Sequence, residues 1–357
     1  MRNERIRAIA FYLPQFYRTR ENDLWWGRGY TEWRAVAGAR ALFKGHYQPH
    51  EPADLGYYDL RVSETRCEQA LLAQEYGIHG FCYYHYWFDG KTLLDRPLND
   101  VLNCGEPDLP FCIAWANEPW VRSWVGRPGD ILMQQRYFVN WEEKFFESIT
   151  PILADRRYIL VDGKPLLLVS RALHIPSVES SVQRLRSLAQ QAGFAGLYLV
   201  AVQAKDMVDP ASCSFDAALE MPPFGCAIRK YSNEHLDELV GEFHGKVASY
   251  ESLVEASINR HEDYTWLRAV APGWDNTPRR GGGATLFVGN TPELYERWLC
   301  AASKWTVRHR KEDERLVFIN AWNEWGEGAH LEPDLRHGHS YLEATYRALK
   351  HFNDPYF

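Results

Sequence analysis

Two glutamates near the carboxyl end of the chain, Glu324 and Glu327, have the residue type and spacing for paired-carboxylate chemistry. They follow a short apolar run, Leu316–Ile319, which predicts a buried strand. Two carboxylates, one as proton donor and one as base or nucleophile, are what cleavage of a glycosidic bond needs. Trp322 and Trp325 would present flat apolar faces to a sugar ring and would raise the pKa of one carboxyl. The alternative is that these glutamates only cap a helix or solvate a loop.

Polar and aromatic residues follow the other apolar runs of the chain in the same way. Because the carboxyl ends of the strands meet at one face of an α/β barrel, we expect these side chains to share the face where catalytic groups collect. Glu118, Glu220 and Asp275 could instead anchor loops. The residues predicted to bind substrate from strand ends are Tyr12, Tyr84, His85, Trp87, Asn117, Glu118, Trp120, Glu220, Trp274, Asp275, Trp322, Asn323 and Trp325.

A long segment after the first predicted strand is predicted to form part of the same site. Loops of this length in a compact domain are usually functional. Trp26, Tyr30 and Trp33 are predicted to stack on sugar rings, and Glu32 and His46 to bind hydroxyls. The alternative is that the aromatic residues pack together as a small core beneath the loop.

Apolar runs and amphipathic helices alternate along the whole chain, which predicts a parallel sheet. Eight such units predict one (β/α)8 TIM barrel with long βα loops, a single catalytic domain spanning residues 1–357. The stretch 221–261 fits no clear element. The predicted strands are Ile6–Leu13, Ile78–Tyr84, Leu109–Trp115, Pro165–Ser170, Leu197–Val202, Phe215–Leu219, Ala269–Trp274 and Leu316–Ile319.

Composition excludes several classes of protein. A formal net charge of −7 argues against a nucleic-acid partner, because such binding depends on basic patches. No apolar run reaches the length of a transmembrane helix, and the amino terminus does not resemble a signal peptide. The 7 cysteines lack paired spacing, which favours reduced thiols in a cytoplasmic protein. The 14 Trp and 20 Tyr exceed what packing requires and suit carbohydrate stacking or a protein interface.

Motifs for metals, nucleotides and nucleophilic catalysis are weak or missing. Neither the pair His46 and His50 nor the pair His337 and His339 has metal-site spacing with further ligands nearby. The segment 279–283 lacks the pattern of a phosphate-binding loop, and no GxSxG is present. We therefore expect no metal and no cofactor.

Several motifs, in order along nearly the whole chain, resemble the WbsX family. They include segments 11–16, 26–33, 45–50, 80–88, 115–118, 273–277 and 320–333, the last reading NAWNEWGEGAHLEP. Members of that family are encoded with bacterial O-antigen and surface-polysaccharide genes and are often labelled glycosyltransferases. They are similar to glycoside hydrolase family 99, the endo-α-mannosidases and endo-mannanases, whose fold is a (β/α)8 barrel.

The resemblance implies roles for the two glutamates. Glu324 would be the base that helps the sugar's own 2-hydroxyl attack the anomeric carbon, and Glu327 the general acid. This chemistry retains anomeric configuration without a metal. Gly326 stands where the hydrolases commonly have a histidine, so the leaving-group side of the site differs.

Together these patterns favour a retaining, endo-α-mannosidase-like hydrolase that acts on α-linked sugars of a bacterial surface polysaccharide or its precursor. The partner would be an oligosaccharide or polysaccharide. One alternative is a glycosyltransferase, although no DxD motif or nucleotide-binding half is visible. The other is a catalytically silent carbohydrate-binding barrel, although both glutamates are present.

Overall fold

The computed structural model describes residues 5–122, 130–204, 209–225, 239 and 243–353. Within these ranges, eight parallel strands close into a barrel, since β1 pairs with both β2 and β8. The predicted (β/α)8 barrel is therefore confirmed. The barrel strands are β1 (Arg7–Tyr12), β2 (Gly80–Phe88), β3 (Phe111–Trp115), β4 (Lys164–Val169), β5 (Tyr198–Gln203), β6 (Ala217–Glu220), β7 (Trp266–Val270) and β8 (Leu316–Ile319).

Helices surround the barrel and also shape two of its loops. Two short helices, α1 (Arg20–Trp26) and α2 (Glu32–Ala37), lie in the long loop between β1 and α3 (Ser63–Glu75), and α8 (Thr277–Arg280) lies in the loop after β7. In the described part of the chain the α-helices are α1 (Arg20–Trp26), α2 (Glu32–Ala37), α3 (Ser63–Glu75), α4 (Arg96–Cys104), α5 (Trp141–Leu153), α6 (Val178–Gln191), α7 (Tyr250–Ile258), α8 (Thr277–Arg280), α9 (Pro292–His309) and α10 (Ser340–Asn353).

The strand predicted at Ala269–Trp274 is misplaced by three to four residues, since β7 runs from Trp266 to Val270. Its true start contains Arg268, whose charge hides the strand from a search for apolar runs. Arg268 is buried because its Nε donates to Glu220 Oε2 at 3.0 Å and its guanidinium stacks on Trp266. Trp274 and Asp275 consequently lie in the loop after β7.

Part of the unplaced stretch 221–261 is visible. It contains Lys246–Ser249, which pairs in parallel with Thr285–Val288 outside the barrel, and then α7. Residues 226–238 and 240–242 lie outside the described residues. The pairing brings the segments after β6 and β7 together beside the barrel mouth.

Alternation along the strands divides their side chains between the barrel interior and the surrounding helices. On β2, Tyr84 and Tyr86 face the cavity at the barrel mouth, whereas His85 and Trp87 contact Phe145 of α5. Both sets of side chains are largely buried, so the strand reads as one continuous apolar and aromatic run.

Two further expectations concern helices and cysteines. Among the described residues, no helix is long and apolar enough to cross a membrane. The six described cysteines are all free thiols, as the lack of paired spacing predicted.

Candidate active site

Arg279, on α8, joins three carboxylates at the mouth of the barrel. Its Nη2 lies 2.7 Å from Oε2 of Glu324, its Nη1 2.8 Å from Oε1 of Glu327, and its Nε 2.6 Å from Oε1 of Glu32. Gln15 Nε2 donates to the other oxygen of Glu32 at 2.8 Å. The loops after β1, β7 and β8 therefore meet at one guanidinium group.

The charge balance of this cluster requires a shared proton. Burial raises the pKa of Glu324 to about 8, although Arg279 acts in the opposite direction, and Glu327 raises it further. Burial also raises the pKa of Glu327. Three carboxylates around one guanidinium would carry two excess negative charges if all were ionised, which a buried site disfavours. One of the catalytic candidates thus holds a proton near neutral pH, as acid–base chemistry requires.

The cluster opens into a cavity of about 640 Å³ at the carboxyl ends of the strands. Its wall is aromatic on the side of β1, β2 and β3 and carries His244, Lys246 and Arg280 on the opposite side. The sequence-predicted residues that line this cavity are Trp26, Tyr30, Glu32, Tyr84, Glu118, Trp120, Trp274, Glu324 and Glu327. A ring of apolar faces with a few convergent polar groups is the usual form of a small-molecule or sugar site.

Two predicted substrate-binding residues, His46 and Asp275, lie in a smaller pocket beside this cavity. His46 Nδ1 accepts from the Leu42 amide at 3.0 Å, so its Nε2 carries the proton and donates to Asp275 Oδ2 at 2.7 Å. Gln48 Nε2 donates to the same oxygen at 2.8 Å. Burial raises the pKa of Asp275, but these hydrogen bonds outweigh it and hold the pKa below its usual value. The His46 Nε2–H group and the Asp275 carboxylate are therefore already engaged in a hydrogen bond with each other.

Other predicted substrate-binding residues do not reach the cavity. The side chains of His85 and Trp87 leave β2 on its outer face, and Tyr12 does so on β1, where its hydroxyl donates to Gln69 of α3 at 2.7 Å. Glu220 binds Arg268 and the Ala269 amide behind β6. The expectation that every polar residue after a strand faces the site is corrected here, because alternate residues of a strand point to opposite faces.

Asn117 and Asn323 tie neighbouring strand ends together. Asn323 Oδ1 accepts from the Leu13 amide at 2.7 Å, and its Nδ2 donates to the Leu13 carbonyl at 3.1 Å. Asn117 makes the same pair of bonds with the backbone of Arg171, at 2.8 and 2.9 Å. Each asparagine acts as a peptide-like bridge between the segments that follow two adjacent barrel strands.

Trp33, Trp322 and Trp325 are buried under the loops. Trp33 packs on Phe16, Tyr58 and Trp325. Trp325, which lies between the two catalytic candidates in sequence, donates its Nε1 to Glu332 Oε2 at 2.6 Å. Trp322 packs on Phe81 of β2. For Trp33 the structure matches the alternative of a small core beneath the loop, whereas Trp26 and Tyr30 line the cavity.

Gly326 provides the space that the Arg279 cluster occupies. A Cβ atom at this position would lie 1.9 Å from Oε1 of Glu32 and 2.7 Å from Nε of Arg279. Real Cβ atoms do not approach heavy atoms so closely. The histidine common here in the resembling hydrolases would therefore not fit beside the Glu32–Arg279 pair.

The residue that sequence reasoning missed is Arg279. In the sequence, Arg279 belongs only to a weak phosphate-binding pattern, and nothing local links it to glutamates 45 and 247 positions away in the chain. Phe11 and Tyr86, which line the cavity, were also missed. Strand alternation suggests Tyr86, because it lies two residues from the cavity-facing Tyr84 on β2.

The described residues contain one group able to hold a metal ion, formed by His50, His330 and Asp334. It lies in the smaller pocket and not among the three glutamates. The glutamates already share Arg279, which supplies a fixed positive charge where a metal would otherwise sit.

Solved structures with the same fold include two glycosidase-related proteins. A glycoside hydrolase-like protein superposes with a TM-score of 0.61 and 14% identity, over 97% of this chain and 94% of that chain. A GH99 endo-α-mannosidase from Bacteroides thetaiotaomicron, in complex with bis-tris-propane, gives 0.57 at 14% identity, over 97% of both chains. At this identity the likeness establishes the fold.

Closer relatives in sequence come from Xanthomonas campestris pv. campestris. The uncharacterized protein WxcX, in two strains, is 42% identical over 343 residues, which is 96% of this chain and 49% of that protein. The chain thus spans about half the length of these relatives. The family described as glycosyltransferase WbsX matches residues 8–345. This match covers almost the entire barrel, and the chain belongs to the WbsX family.

Proposed function

We propose that this protein is a carbohydrate-active enzyme, a retaining endo-α-mannosidase-like hydrolase acting on α-linked sugars of a bacterial surface polysaccharide or its precursor. The observation that carries the proposal is the placement of Glu324 and Glu327 on Arg279 at the edge of an aromatic cavity. The proposal treats residues 1–357 as one catalytic domain. It also places the protein in the cytoplasm, with support from the six described free thiols.

In the proposed mechanism, Glu324 is the base and Glu327 the general acid, as the family resemblance implies. Glu327 suits contact with a leaving group because its side chain is 22% exposed, against 6% for Glu324. Glu324 must lose its proton before it can accept one from the sugar 2-hydroxyl. Its hydrogen bond from Arg279 Nη2 stabilises the carboxylate form, whereas its burial stabilises the acid. Binding of the sugar would therefore have to shift the shared proton from Glu324 to Glu327.

The aromatic wall supports a carbohydrate ligand. Trp26, Tyr84 and Trp120 would offer apolar surface to the C–H faces of sugar rings, and Tyr30 and Glu118 would supply polar groups for hydroxyls. The cavity is lined by side chains from the loops after β1 and β3, on the side opposite Lys246. An elongated substrate could thus cross the barrel mouth between the two walls.

A glycosyltransferase is the second candidate, and two observations favour it. The family description names that activity, and His244, Lys246 and Arg280 line one side of the cavity, where a sugar diphosphate would meet positive charge. A silent binding barrel is less well supported, because both carboxylates face the cavity.

Incubation of the full chain with a panel of α-linked oligosaccharides, with and without nucleotide sugars, tests these alternatives by mass spectrometry. A hydrolase shortens an oligosaccharide without a nucleotide sugar and retains anomeric configuration by proton NMR. A transferase lengthens an acceptor only when the nucleotide sugar is present. Binding without any product, under conditions where Glu324→Gln binds equally, would favour the silent barrel and exclude the proposal.

A further inference from the structure

Behind the catalytic loop lies a second polar cluster, formed by His50, His330 and Asp334. His50 lies in the long loop between β1 and α3, and the other two follow the catalytic segment after β8. All three side chains are buried, and they line a cavity of about 160 Å³. This cavity is separate from the candidate active site and shares with it only Trp274 among the residues discussed above.

The hydrogen bonds around His330 determine which of its nitrogens faces the cluster with a lone pair. His330 Nδ1 lies 2.9 Å from the Glu332 carbonyl oxygen, which can only accept, so Nδ1 carries the proton. In the neutral ring Nε2 is then unprotonated. This Nε2 faces His50 Nδ1 at 2.8 Å and Asp334 Oδ2 at 3.7 Å.

Asp334 is oriented in a similar way. Its Oδ1 accepts hydrogen bonds from the backbone amides of Arg336 and His337, at 2.8 and 2.7 Å. Its Oδ2 is thereby directed toward the two imidazoles. Asp334 Oδ2 and the lone pair of His330 Nε2 thus face each other without a proton between them.

We propose that His50, His330 and Asp334 bind a divalent transition-metal ion of the zinc type, which joins the loop after β1 to the catalytic loop after β8. Two imidazole nitrogens and one carboxylate oxygen form a common donor set for such ions. In metal sites, groups outside the coordination sphere typically form hydrogen bonds that fix the tautomer of an imidazole ligand and the orientation of a carboxylate ligand. His330 and Asp334 are held by such hydrogen bonds. The cavity beside the cluster has room for water as a fourth ligand.

The geometry needs only a small adjustment to accept the ion. With Zn–N bonds of about 2.0–2.1 Å, tetrahedral coordination separates two nitrogens by roughly 3.3 Å, against 2.8 Å between His50 and His330 here. Binding would also move the remaining proton of His50 from Nδ1 to Nε2. The adjustment is thus a separation of the two imidazole rings by roughly half an ångström together with a change of tautomer at His50.

The ion would act on the active site through Trp325. The indole of Trp325 stacks on the His330 ring, with centroids 3.7 Å apart and an interplanar angle of 13°. Trp325 stands between Glu324 and Glu327 in the chain, so fixing His330 also fixes the segment that carries both carboxylates. The metal is therefore assigned a positioning role and does not touch substrate. This inference does not depend on whether the enzyme is a hydrolase or a transferase.

The rival explanation is a metal-free hydrogen-bonded cluster. In that case His50 donates to His330, and Arg336, which lines the same cavity, balances the charge of Asp334. The Arg336 guanidinium lies 4.7 Å from the ring centroid of Tyr47, which in turn stacks on His50.

Metal binding to the purified full chain distinguishes the two explanations. After treatment with a chelator and its removal, the chain is titrated with Zn²⁺ by calorimetry and with Co²⁺ by visible absorption. We expect one ion per chain, tetrahedral cobalt bands, a melting temperature raised by Zn²⁺, and no response to Mg²⁺, which prefers oxygen ligands. No uptake of Zn²⁺ or Co²⁺ at micromolar concentration would overturn the proposal.

Variants of two of the three ligands locate the site. His50→Gln and Asp334→Asn should each weaken Zn²⁺ binding by more than the roughly 10- to 100-fold that loss of an outer-shell partner costs. His85→Gln is the matched control, because His85 is equally buried but lies against α5. It should keep the wild-type stoichiometry and cobalt spectrum. Retention of tight binding in both ligand variants would assign the ion elsewhere and exclude this site.

Discussion

Gly326 and Glu32 come so close that a methyl group on Gly326 would lie 1.9 Å from the Glu32 carboxylate. Glu32 cannot easily retreat, because Arg279 and Gln15 hold its two oxygens. The absence of a side chain at position 326 and the presence of the Arg279 cluster are therefore one structural feature. This feature distinguishes the site from one with a histidine between the catalytic carboxylates.

Gly326→Ala should displace Glu32 and Arg279 and lower kcat by at least about 10-fold, since misplacement of catalytic groups by an ångström is costly. The loss of stability should be smaller when Glu32 has already been replaced by alanine. A double-mutant cycle of Gly326→Ala and Glu32→Ala, measured by denaturant unfolding, checks this coupling. Additive effects of the two substitutions would contradict the predicted clash.

Glu324→Gln and Glu327→Gln should each lower turnover by about 10²–10⁴-fold, the usual contribution of a general acid or base. An aryl glycoside with a good leaving group should partly restore activity to Glu327→Gln but not to Glu324→Gln, because only the acid becomes dispensable. Steady-state kinetics on both substrates test this, with melting curves to verify folding. Rescue of Glu324→Gln instead would reverse the two assigned roles.

Arg279→Met should leave three carboxylates without their shared cation. Removing one partner of a buried ion pair costs about 3–5 kcal/mol, so the free energy of unfolding should fall strongly. Adding Glu32→Gln should recover part of that stability without recovering activity. Arg280→Met is the matched control, since the neighbouring side chain is exposed and should change unfolding by less than about 0.5 kcal/mol.

The raised pKa of Glu324 predicts a pH-dependent stability. Between its ordinary value of 4.5 and about 8 the folded chain holds a proton that the unfolded chain has lost. The contribution of Glu324 is therefore complete below pH 4.5 and is lost as pH rises toward 8, at no more than about 1.4 kcal/mol per pH unit for one proton. Urea unfolding from pH 5 to 8 should show a shallower decline in Glu324→Gln than in the wild type. Parallel curves would mean that the proton resides elsewhere.

Trp26 and Trp33 form a natural pair for separating binding from packing. Trp26 lines the cavity, whereas Trp33 is buried against Phe16, Tyr58 and Trp325. Trp26→Ala should raise KM with little change in melting temperature. Trp33→Ala should destabilise the fold by about 3–5 kcal/mol, the usual cost of deleting a buried aromatic side chain. Equal losses of stability in the two variants would remove Trp26 from the proposed sugar site.

The alternation of strands and helices was accessible from sequence because it depends on local periodicity. Six of the eight barrel strands begin and end within about two residues of the predicted bounds, and β2 continues about four residues further, to Phe88. The predicted bounds of β7 are displaced because the strand contains Arg268. This charged side chain is buried because Glu220, on the neighbouring strand β6, forms an ion pair with it. No pattern in the residues around Arg268 indicates that Glu220 is its partner.

The sequence by itself determined the barrel and the position of Glu324 and Glu327 after its last strand. Tertiary structure alone decided which residues face the cavity, because a strand residue and its neighbour point to opposite sides. It also decided which distant groups meet: Arg279 with Glu32, and His50 with His330, 280 residues apart. Closure of the barrel creates these contacts by bringing the loop after its first strand against the loops after its last two. Such proximity follows from the path of the chain in space and leaves no periodic signal along it.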